Sequence, residues 1–301
     1  MPPESEYPLQ SLTATRVVVV AGKGGVGKTT VTAVIARAAS NAGQRVLVVE
    51  LDGKPALAGL VPDLEVMTIS PPDALDEYLR DNGFARIAKR LNRTGVIDMV
   101  GTAAPGIDDI VVLGKIKQLE RSGEYDLIVV DGPAAGHAIT FLTSASGLAD
   151  SVRSGPVRSQ ADAVLEMLRD ATRCQVVLVT LPETTPVNEV IETAFALEDQ
   201  VGVQLGPVVV NGVDQGVDLP DADAIEAAVA GLDQASADTL VEAAAFRQSR
   251  REMESEEIGR LAEQLPIAQV TLPARLVAGL APADVDALAA LLGPTVEAAA
   301  S

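Results

Sequence analysis

Short apolar runs rich in β-branched residues alternate along the chain with longer segments in which apolar residues recur at helical spacing. This alternation is typical of repeated βα units, in which successive strands lie parallel in one sheet. The runs contain few polar residues, as expected of strands that are covered on both faces. We therefore predict an α/β fold with a mostly parallel sheet flanked by helices. The predicted strands are 16–22, 45–50, 126–131, 175–180, 206–211 and 268–273.

The helical pattern adds a second feature to this fold, because the connection from the second strand to the third is far longer than a crossover needs. We predict helical insertions at about 72–122 and 137–171, which together form a helical subdomain above the sheet. Residues 1–14 are predicted to be a flexible tail, and residues 15–301 a single domain. The other predicted helices are 28–42, 187–201, 234–264 and 282–292.

The composition excludes several classes of protein. The chain has 301 residues, of which 48% are hydrophobic and 22% charged, a balance typical of globular domains. No apolar run approaches the roughly 18 residues of a membrane span, and the first residues lack the pattern of a signal peptide. Cys174 is the only cysteine, so an intramolecular disulfide is impossible. We expect a cytoplasmic protein without stable membrane insertion, in which Cys174 is a small buried apolar residue.

The net charge of −19 argues against a nucleic-acid partner, since phosphate backbones are bound by clustered lysines and arginines. All six lysines lie in the first 117 residues. Two of them, Lys23 and Lys28, stand five residues apart in one glycine-rich loop. In an acidic, lysine-poor chain this pair indicates a local function.

Residues Gly22 to Thr29 fit the phosphate-loop pattern G-x-x-x-x-G-K-[ST], with a strand before and a helix after them. Glycines let backbone N–H groups converge on phosphate oxygens, and the N-terminus of the helix adds its positive end. Lys28 is expected to contact the β- and γ-phosphates, and Thr29 to ligate Mg²⁺. The predicted nucleotide-binding residues of this loop are Gly24, Gly25, Val26, Gly27, Lys28, Thr29 and Thr30.

A second magnesium partner is expected at the end of another apolar strand, where a carboxylate can reach the metal. Asp131 ends the predicted strand 126–131, and Gly132 and Pro133 are expected to break that strand at once. We predict that Asp131 acts on Mg²⁺ through a water molecule.

Lys23 makes the loop resemble the deviant Walker A motif of the nucleotide-sandwiching ATPases. Further segments are similar to those of the arsenite-pump and tail-anchored-protein-targeting ATPases, over about residues 14–292. These segments are 104–109 (resembling P-G-I-D-E), 131–137 (D-T-A-P-T-G-H), 182–189 (A-E-x-x-x-x-x-E) and 210–211. The resemblance implies ATP and ADP as ligands, Mg²⁺ as cofactor, and a dimer in which Lys23 reaches the partner's nucleotide.

The same resemblance implies roles for residues outside the loop. Gly136 and His137 fall in its switch segment, although a single histidine is more often structural. Asn211 is expected to read adenine with Pro273 packing nearby, or else to be the turn residue of an Asn-Gly pair. Asp52 falls on the position that orients the attacking water. The proline and histidine that flank this position in the family are absent here, and Glu50 is either a substitute for Asp52 or simply the last residue of its strand.

Three functions remain open at this point. The first is a Mg²⁺-dependent ATPase that switches the conformation of a dimer, formed with itself or with a paralogous subunit. The second is a nucleotide-binding, non-hydrolysing regulator, and the third a positioning ATPase of the MinD or ParA kind. The cysteines of the zinc, metalloid and iron–sulfur sites of related ATPases are absent. A protein client would bind the helical subdomain, although its apolar stripe at 107–116 has the spacing of ordinary core.

Overall fold

The computed structural model describes residues 8–51, 56–84, 86, 89, 106–218 and 222–293. Its strands are β1 (Val17–Gly22), β2 (Val46–Glu50), β3 (Glu65–Thr68), β4 (Leu127–Ala134), β5 (Cys174–Thr180), β6 (Val208–Val213) and β7 (Gln269–Pro273). They form one sheet in the order β3-β2-β4-β1-β5-β6-β7, and every paired neighbour runs parallel. The predicted α/β fold with a parallel sheet is confirmed.

Eleven helices are described, and they flank the sheet on both faces. They are α1 (Pro8–Leu12), α2 (Lys28–Asn41), α3 (Ala56–Leu60), α4 (Pro71–Asp81), α5 (Ile107–Ser122), α6 (Ala135–Ser151), α7 (Pro156–Arg169), α8 (Thr184–Gln200), α9 (Ala222–Val229), α10 (Gln234–Gln264) and α11 (Pro282–Ala289). Alternate residues of β1 enter different cores, Val17 and Val19 on one face and Val18 and Val20 on the other. This alternation is why each strand reads as a continuous apolar run.

The described parts of both predicted insertions belong to the layer of helices on one face of the sheet. Ile110, Leu113 and Ile116 of α5 are buried in the same core as β1 and β4. Val164 and Leu168 of α7 are buried there as well. The apolar stripe of α5 is therefore core and offers no surface to a client. Residues 90–105 of the first insertion lie outside the described residues.

Two strands differ from their predicted bounds. The edge strand β3 was not predicted, because it is only four residues long and half of its residues are exposed. β4 does not stop at Asp131 but continues to Ala134, and its pairing with β1 becomes irregular between Val20 and Gly22. A Cβ at position 132 would lie 2.5 Å from the carbonyl oxygen of Val20, so glycine is what lets the two strands stay this close.

The expectation of a flexible tail is wrong for residues 8–14, which pack against the domain. Leu12 is fully buried, and Leu9 donates its backbone N–H to the carbonyl of Leu292 at 2.8 Å. The amide of Gln175 in β5 donates to the carbonyl of Leu12 at 2.7 Å. The segment 8–12 has too few residues to show a helical period, so its two leucines gave no signal in the sequence.

Cys174 begins β5 and is fully buried, as its interpretation as a small apolar residue requires. Burial raises the pKa of its thiol to about 12. The side chain therefore stays protonated, and it is a poor nucleophile and a poor metal ligand.

The docking of α1 can be tested by truncating its buried leucine. Leu12→Ala should lower the free energy of unfolding by about 2–5 kcal/mol, since it removes a buried side chain from a site with little room to collapse. Gln10→Ala, on the exposed side of the same helix, should change it by less than about 0.5 kcal/mol. Urea unfolding followed by circular dichroism measures both. Equal small effects would mean that α1 is not docked in solution.

Candidate functional site

The site lies at the carboxyl edge of the sheet, where β1, β2 and β4 end side by side. In the pairing register Val20 of β1 lies opposite Asp131 of β4, and Asp131 lies opposite Glu50 of β2. The chain leaves β1 through the glycine-rich loop and enters α2 at Lys28. Loop, helix N-terminus and two carboxylates are thus brought together by parallel pairing alone, at the edge where open α/β sheets bind ligands.

Two glycines give the loop its curvature. Gly25 and Gly27 adopt the left-handed region, with φ of +89° and +91°. This conformation costs other residues about 1–2 kcal/mol each. Gly27 is also the N-cap of α2 and provides no side-chain hydrogen bond to the first N–H groups of the helix. These N–H groups are left for a ligand, and a helix N-terminus favours an anionic one.

Lys28 and Thr29 begin α2 and point their polar groups to the loop and to β4. The ammonium of Lys28 donates to the carbonyl of Lys23 across the loop at 3.3 Å. The hydroxyl of Thr29 donates to Oδ2 of Asp131 at 2.7 Å, and that of Thr32 lies 3.5 Å from Oδ1. The structure therefore brings Asp131, which is 102 positions away in the sequence, to the hydroxyl of Thr29 next to Lys28.

These groups fit a nucleotide phosphate with Mg²⁺. Hydroxyl and carboxylate oxygens are ligands that Mg²⁺ prefers, and it is usually held by one or two carboxylates together with substrate phosphates. Among the described residues there is no group of three or more acidic, histidine or cysteine side chains that could hold a metal without such phosphates. Positions 24 and 25 leave open space at the loop, since an added Cβ at either glycine would meet nothing within 4 Å.

Asn211 supports the loop directly, a contact that sequence reasoning missed. Its amide Nδ2 donates to the carbonyl of Val26 at 2.9 Å. A Cβ at position 27 would lie 2.3 Å from the same Nδ2, so the amide packs against the backbone of Gly27. No pattern within either segment predicts this contact, because it joins residues 185 positions apart. The amide oxygen of Asn211 remains able to accept from a base.

Pro273 ends β7 next to β6, close to Asn211 in the sheet, where Asn211 pairs with Leu272 and Val213 with Pro273. A cavity of about 630 Å³ opens beside Pro273, with Gly212 on the same wall. Arg250 of α10 also lines it. The pairing of β6 with β7 thus places Asn211 and Pro273 near each other, whereas the lining of this cavity includes neither Asn211 nor a residue of the phosphate loop.

Lys23 forms an ion pair within its own chain. Its ammonium donates to Oε1 of Glu189 on α8 at 2.6 Å, and the two side chains are 39% and 37% exposed. At this exposure water screens much of the attraction, and such pairs contribute about 0–1 kcal/mol. Lys23 is therefore held in place, but it can be released at small cost.

Two acidic residues, Glu50 and Asp52, stand at the end of β2 or just after it, and the structure describes only the first of them. Glu50 is the last residue of β2, and it is buried next to Asp131 in the register. Asp52, the candidate for orienting water, lies outside the described residues.

Gly136 and His137 lie in the first turn of α6, directly after β4, and both are exposed. His137 lines a cavity of about 350 Å³ with Asp109 of α5 and with Leu51, which follows β2. Burial raises the pKa of Asp109, with a smaller contribution from Asp108, and His137 acts in the opposite direction. Of the two predicted switch residues, His137 therefore shares a cavity with α5 and with the residue that follows β2.

Comparison with known proteins finds similarity to ATPases. Residues 15–153 match the profile of the family described as anion-transporting ATPase. The chain is 33% identical over 225 residues to ATPase BagA of Mycobacterium tuberculosis. The matched region covers 66% of this chain and 66% of that relative, so the chain spans just under two thirds of the relative's length. It is 28% identical to a putative arsenical pump-driving ATPase of Halobacterium salinarum, over 65% of this chain and 35% of that one. An ATPase ASNA1 homolog of Entamoeba dispar is 27% identical, over 49% of this chain and 54% of its own.

In the part of the chain that the structure describes, none of the helices combines the length and the apolar character needed to cross a membrane.

The close packing of Asn211 on the loop predicts that substitutions of Gly27 and Gly24 differ in their effect on stability. Gly27→Ala should lower the free energy of unfolding of the nucleotide-free protein by about 1–3 kcal/mol, because the alanine is strained at positive φ and overlaps the Asn211 amide. Gly24→Ala, with open space around its Cβ, should change it by less than about 0.5 kcal/mol. Thermal unfolding without nucleotide compares the two. If both variants are equally stable, Asn211 does not pack on the loop as described.

Proposed function

Because the chain belongs to the anion-transporting ATPase family, we propose that it is a Mg²⁺-dependent ATPase that uses ATP binding and hydrolysis to switch the conformation of a dimer. The observation that carries the proposal is the 2.7 Å contact of Thr29 with Asp131 directly beneath the loop that holds Lys28. A structural glycine turn needs neither a carboxylate at the end of the neighbouring strand nor a lysine at the start of the following helix. A site for a nucleotide phosphate with Mg²⁺ uses both, the lysine for phosphate oxygens and the carboxylate for the metal.

Catalysis by these residues would be positional and electrostatic. The N–H groups from Gly24 to Thr30 and the ammonium of Lys28 would hold the phosphates and stabilise charge on the transferring phosphoryl group. Lys28 would exchange its contact with the carbonyl of Lys23 for phosphate oxygens. Thr29 would hold Mg²⁺ directly and Asp131 through water. The metal would supply positive charge that stabilises the negative charge of the phosphates.

The water that attacks the phosphate would be oriented by Asp52, and Glu50 is the next candidate because it ends β2 beside Asp131. The nucleobase would lie against Asn211 and Pro273. Gly136 and His137 would report the state of the γ-phosphate to α5 and α6, since His137 shares its cavity with Asp109.

The dimer would form around the nucleotide, with each Lys23 reaching the partner's phosphates. In the nucleotide-free chain Glu189 holds this lysine, and the exposure of the pair means that its release is cheap. The partner is a second copy or a paralogous ATPase subunit, and the conformational change would act on a protein client in the cytoplasm.

A second candidate function is a nucleotide-binding subunit that does not hydrolyse ATP. It is favoured by the segment Glu50-Leu51-Asp52-Gly53, in which the neighbours typical of the water-orienting aspartate are replaced. Phosphate release from Mg-ATP by the purified protein separates the two. A positioning ATPase would in addition bind DNA or anionic vesicles, which the net charge of −19 disfavours.

The role of Lys28 predicts a large loss of turnover. Lys28→Ala removes the positive charge that would stabilise the charge developing on the phosphoryl group. ATP hydrolysis should therefore fall roughly 100- to 1,000-fold. Arg158→Ala removes one positive charge from a surface ion pair on α7 and should leave turnover unchanged. Release of inorganic phosphate measures both variants. Wild-type turnover in Lys28→Ala would overturn the assignment of the active site.

The two residues of the Lys23–Glu189 pair are expected to have different effects. Lys23→Ala should bind nucleotide nearly normally but lose turnover and ATP-dependent dimerisation, because the cross-subunit contact is gone. Glu189→Gln frees the lysine and should tighten the ATP-dependent dimer by no more than about fivefold, the equivalent of roughly 1 kcal/mol. In a heterodimer the Lys23→Ala defect should appear at the partner's site.

Light scattering with and without ATP, together with turnover, measures both effects. Tight ATP-driven dimers with full activity in Lys23→Ala would contradict the cross-subunit mechanism.

A further inference from the structure

A separate cavity of about 270 Å³ lies among α4, α5 and α7, away from the phosphate loop. The helix α5 runs from the switch cavity, at Asp109, to Glu120, whose carboxylate binds Arg173 at 2.7 Å, directly before β5. Lys117 is eight residues beyond Asp109, which is about 12 Å along a helix axis. Lys117 and Arg121 therefore lie at the end of the cavity away from Asp109, while Val111 lines it at the nearer end. The polar side chains of the lining are Glu77, Tyr78, Asp81, Asn82, Lys115, Lys117, Gln118, Arg121 and Gln160.

Lys117 is a half-buried cation that forms no ion pair among the described residues; the carboxylate that acts on it, Glu166, is shared with Arg173 at 3.8 Å. Its ammonium donates to the amide oxygen of Gln160 at 3.0 Å. Two residues earlier, Lys115 is paired with Glu77 at 2.5 Å, as expected in a chain with 42 acidic and 23 basic side chains. Burial lowers the pKa of Lys117, Arg121 and Arg173 lower it further, and Glu166 has a smaller opposing effect. A cation held in these surroundings is stabilised by an anion.

A glycine in α5 lets Gln160 hold the lysine at the cavity wall. A Cβ at position 114 would lie 1.8 Å from Nε2 of Gln160, so the amide lies directly against the helix backbone. Glycine inside a helix is less favourable than alanine, but here alanine would overlap the amide. The neutral amide fixes the position of the ammonium without neutralising its charge.

Two further groups complete the lining. Arg121 lies one turn after Lys117 on the same helix, and the described residues provide it with no ion pair. The hydroxyl of Tyr78 is buried and has no hydrogen-bond partner among the described residues. An unpaired buried hydroxyl is destabilising, so an acceptor at this wall is favoured. Asp81 is the opposing charge, since Glu77 is already neutralised by Lys115.

We propose that this cavity binds a phosphate-type oxyanion, with Lys117 and Arg121 as its cationic contacts and Gln160 as the residue that positions Lys117. Such an anion is available as free inorganic phosphate or as the phosphoryl group of a small phosphomonoester. Both offer the same charge and the same acceptor oxygens, and the cavity differs from the phosphate loop in using side chains rather than backbone N–H groups.

The test uses the full-length Lys28→Ala protein as background, so that the phosphate loop does not dominate anion binding. Isothermal titration with inorganic phosphate and, separately, with glycerol 3-phosphate should detect one site. Lys117→Gln should weaken binding about tenfold or more, the loss expected for one charge-assisted contact. Arg80→Gln, which removes a charge of the same sign from α4 but does not line the cavity, should weaken it less than about twofold.

The outcomes distinguish free phosphate from a phosphomonoester as the ligand, and specific binding from an effect of net charge. Tighter binding of the phosphomonoester identifies a bound metabolite, whereas equal affinities identify the free anion. Arg121→Gln provides a second variant, with the same expected loss, should Lys117→Gln fail to fold by circular dichroism. No binding of either probe up to about 20 mM, an affinity weaker than about −2.3 kcal/mol, would overturn the proposal. Equal losses in Lys117→Gln and Arg80→Gln would also overturn it, because they would reflect net charge alone.

Discussion

The parallel pairing of β1 with its two neighbours is the constraint on which the site depends. It places the end of β1 beside Asp131 and leads the chain through the glycine loop into α2, so that Thr29 meets Asp131 at 2.7 Å. The contact joins residues 102 positions apart, and it requires both strands to be in register. A slip of one residue would turn Asp131 to the other face of the sheet. The chemistry of the site therefore rests on the packing of the two cores that fix this register.

The loop itself is held from two sides. The Asn211 amide lies against Gly27 and binds the carbonyl of Val26, while the Lys28 ammonium binds the carbonyl of Lys23. β6 thereby supports the loop that follows β1. A group bound to Asn211 would be separated from the phosphate loop by this one side chain. Lys23 is held only by a half-exposed ion pair. Within one loop, the lysine proposed to act within the subunit is thus turned onto the loop backbone, and the one proposed to act across the dimer is turned away, to Glu189 on α8.

The parts of the structure that the sequence predicted are those with a strong local pattern. Continuous apolar runs identified six of the seven described strands, and the loop motif placed Gly25, Gly27, Lys28 and Thr29 before any geometry was known. The parts that it missed depend on contacts between distant segments. β3 and α1 are too short to show a period, and the continuation of β4 past Asp131 depends on the close approach of Gly132 to β1. The Asn211–Val26 and Lys23–Glu189 contacts have no local signature, since their partners are more than 160 residues apart.

The central claim is that Thr29 and Asp131 act as a unit on Mg²⁺ bound with ATP. The most direct measurement is a double-mutant cycle on ATP affinity, with and without Mg²⁺, in the wild type, Thr29→Val, Asp131→Asn and the double variant. We expect Mg²⁺ to tighten ATP binding in the wild type, each single substitution to remove most of this gain, and the double substitution to remove little more. The coupling energy would then be at least about 1 kcal/mol. Equal ATP affinity with and without Mg²⁺ in the wild type, or losses that simply add, would contradict the account.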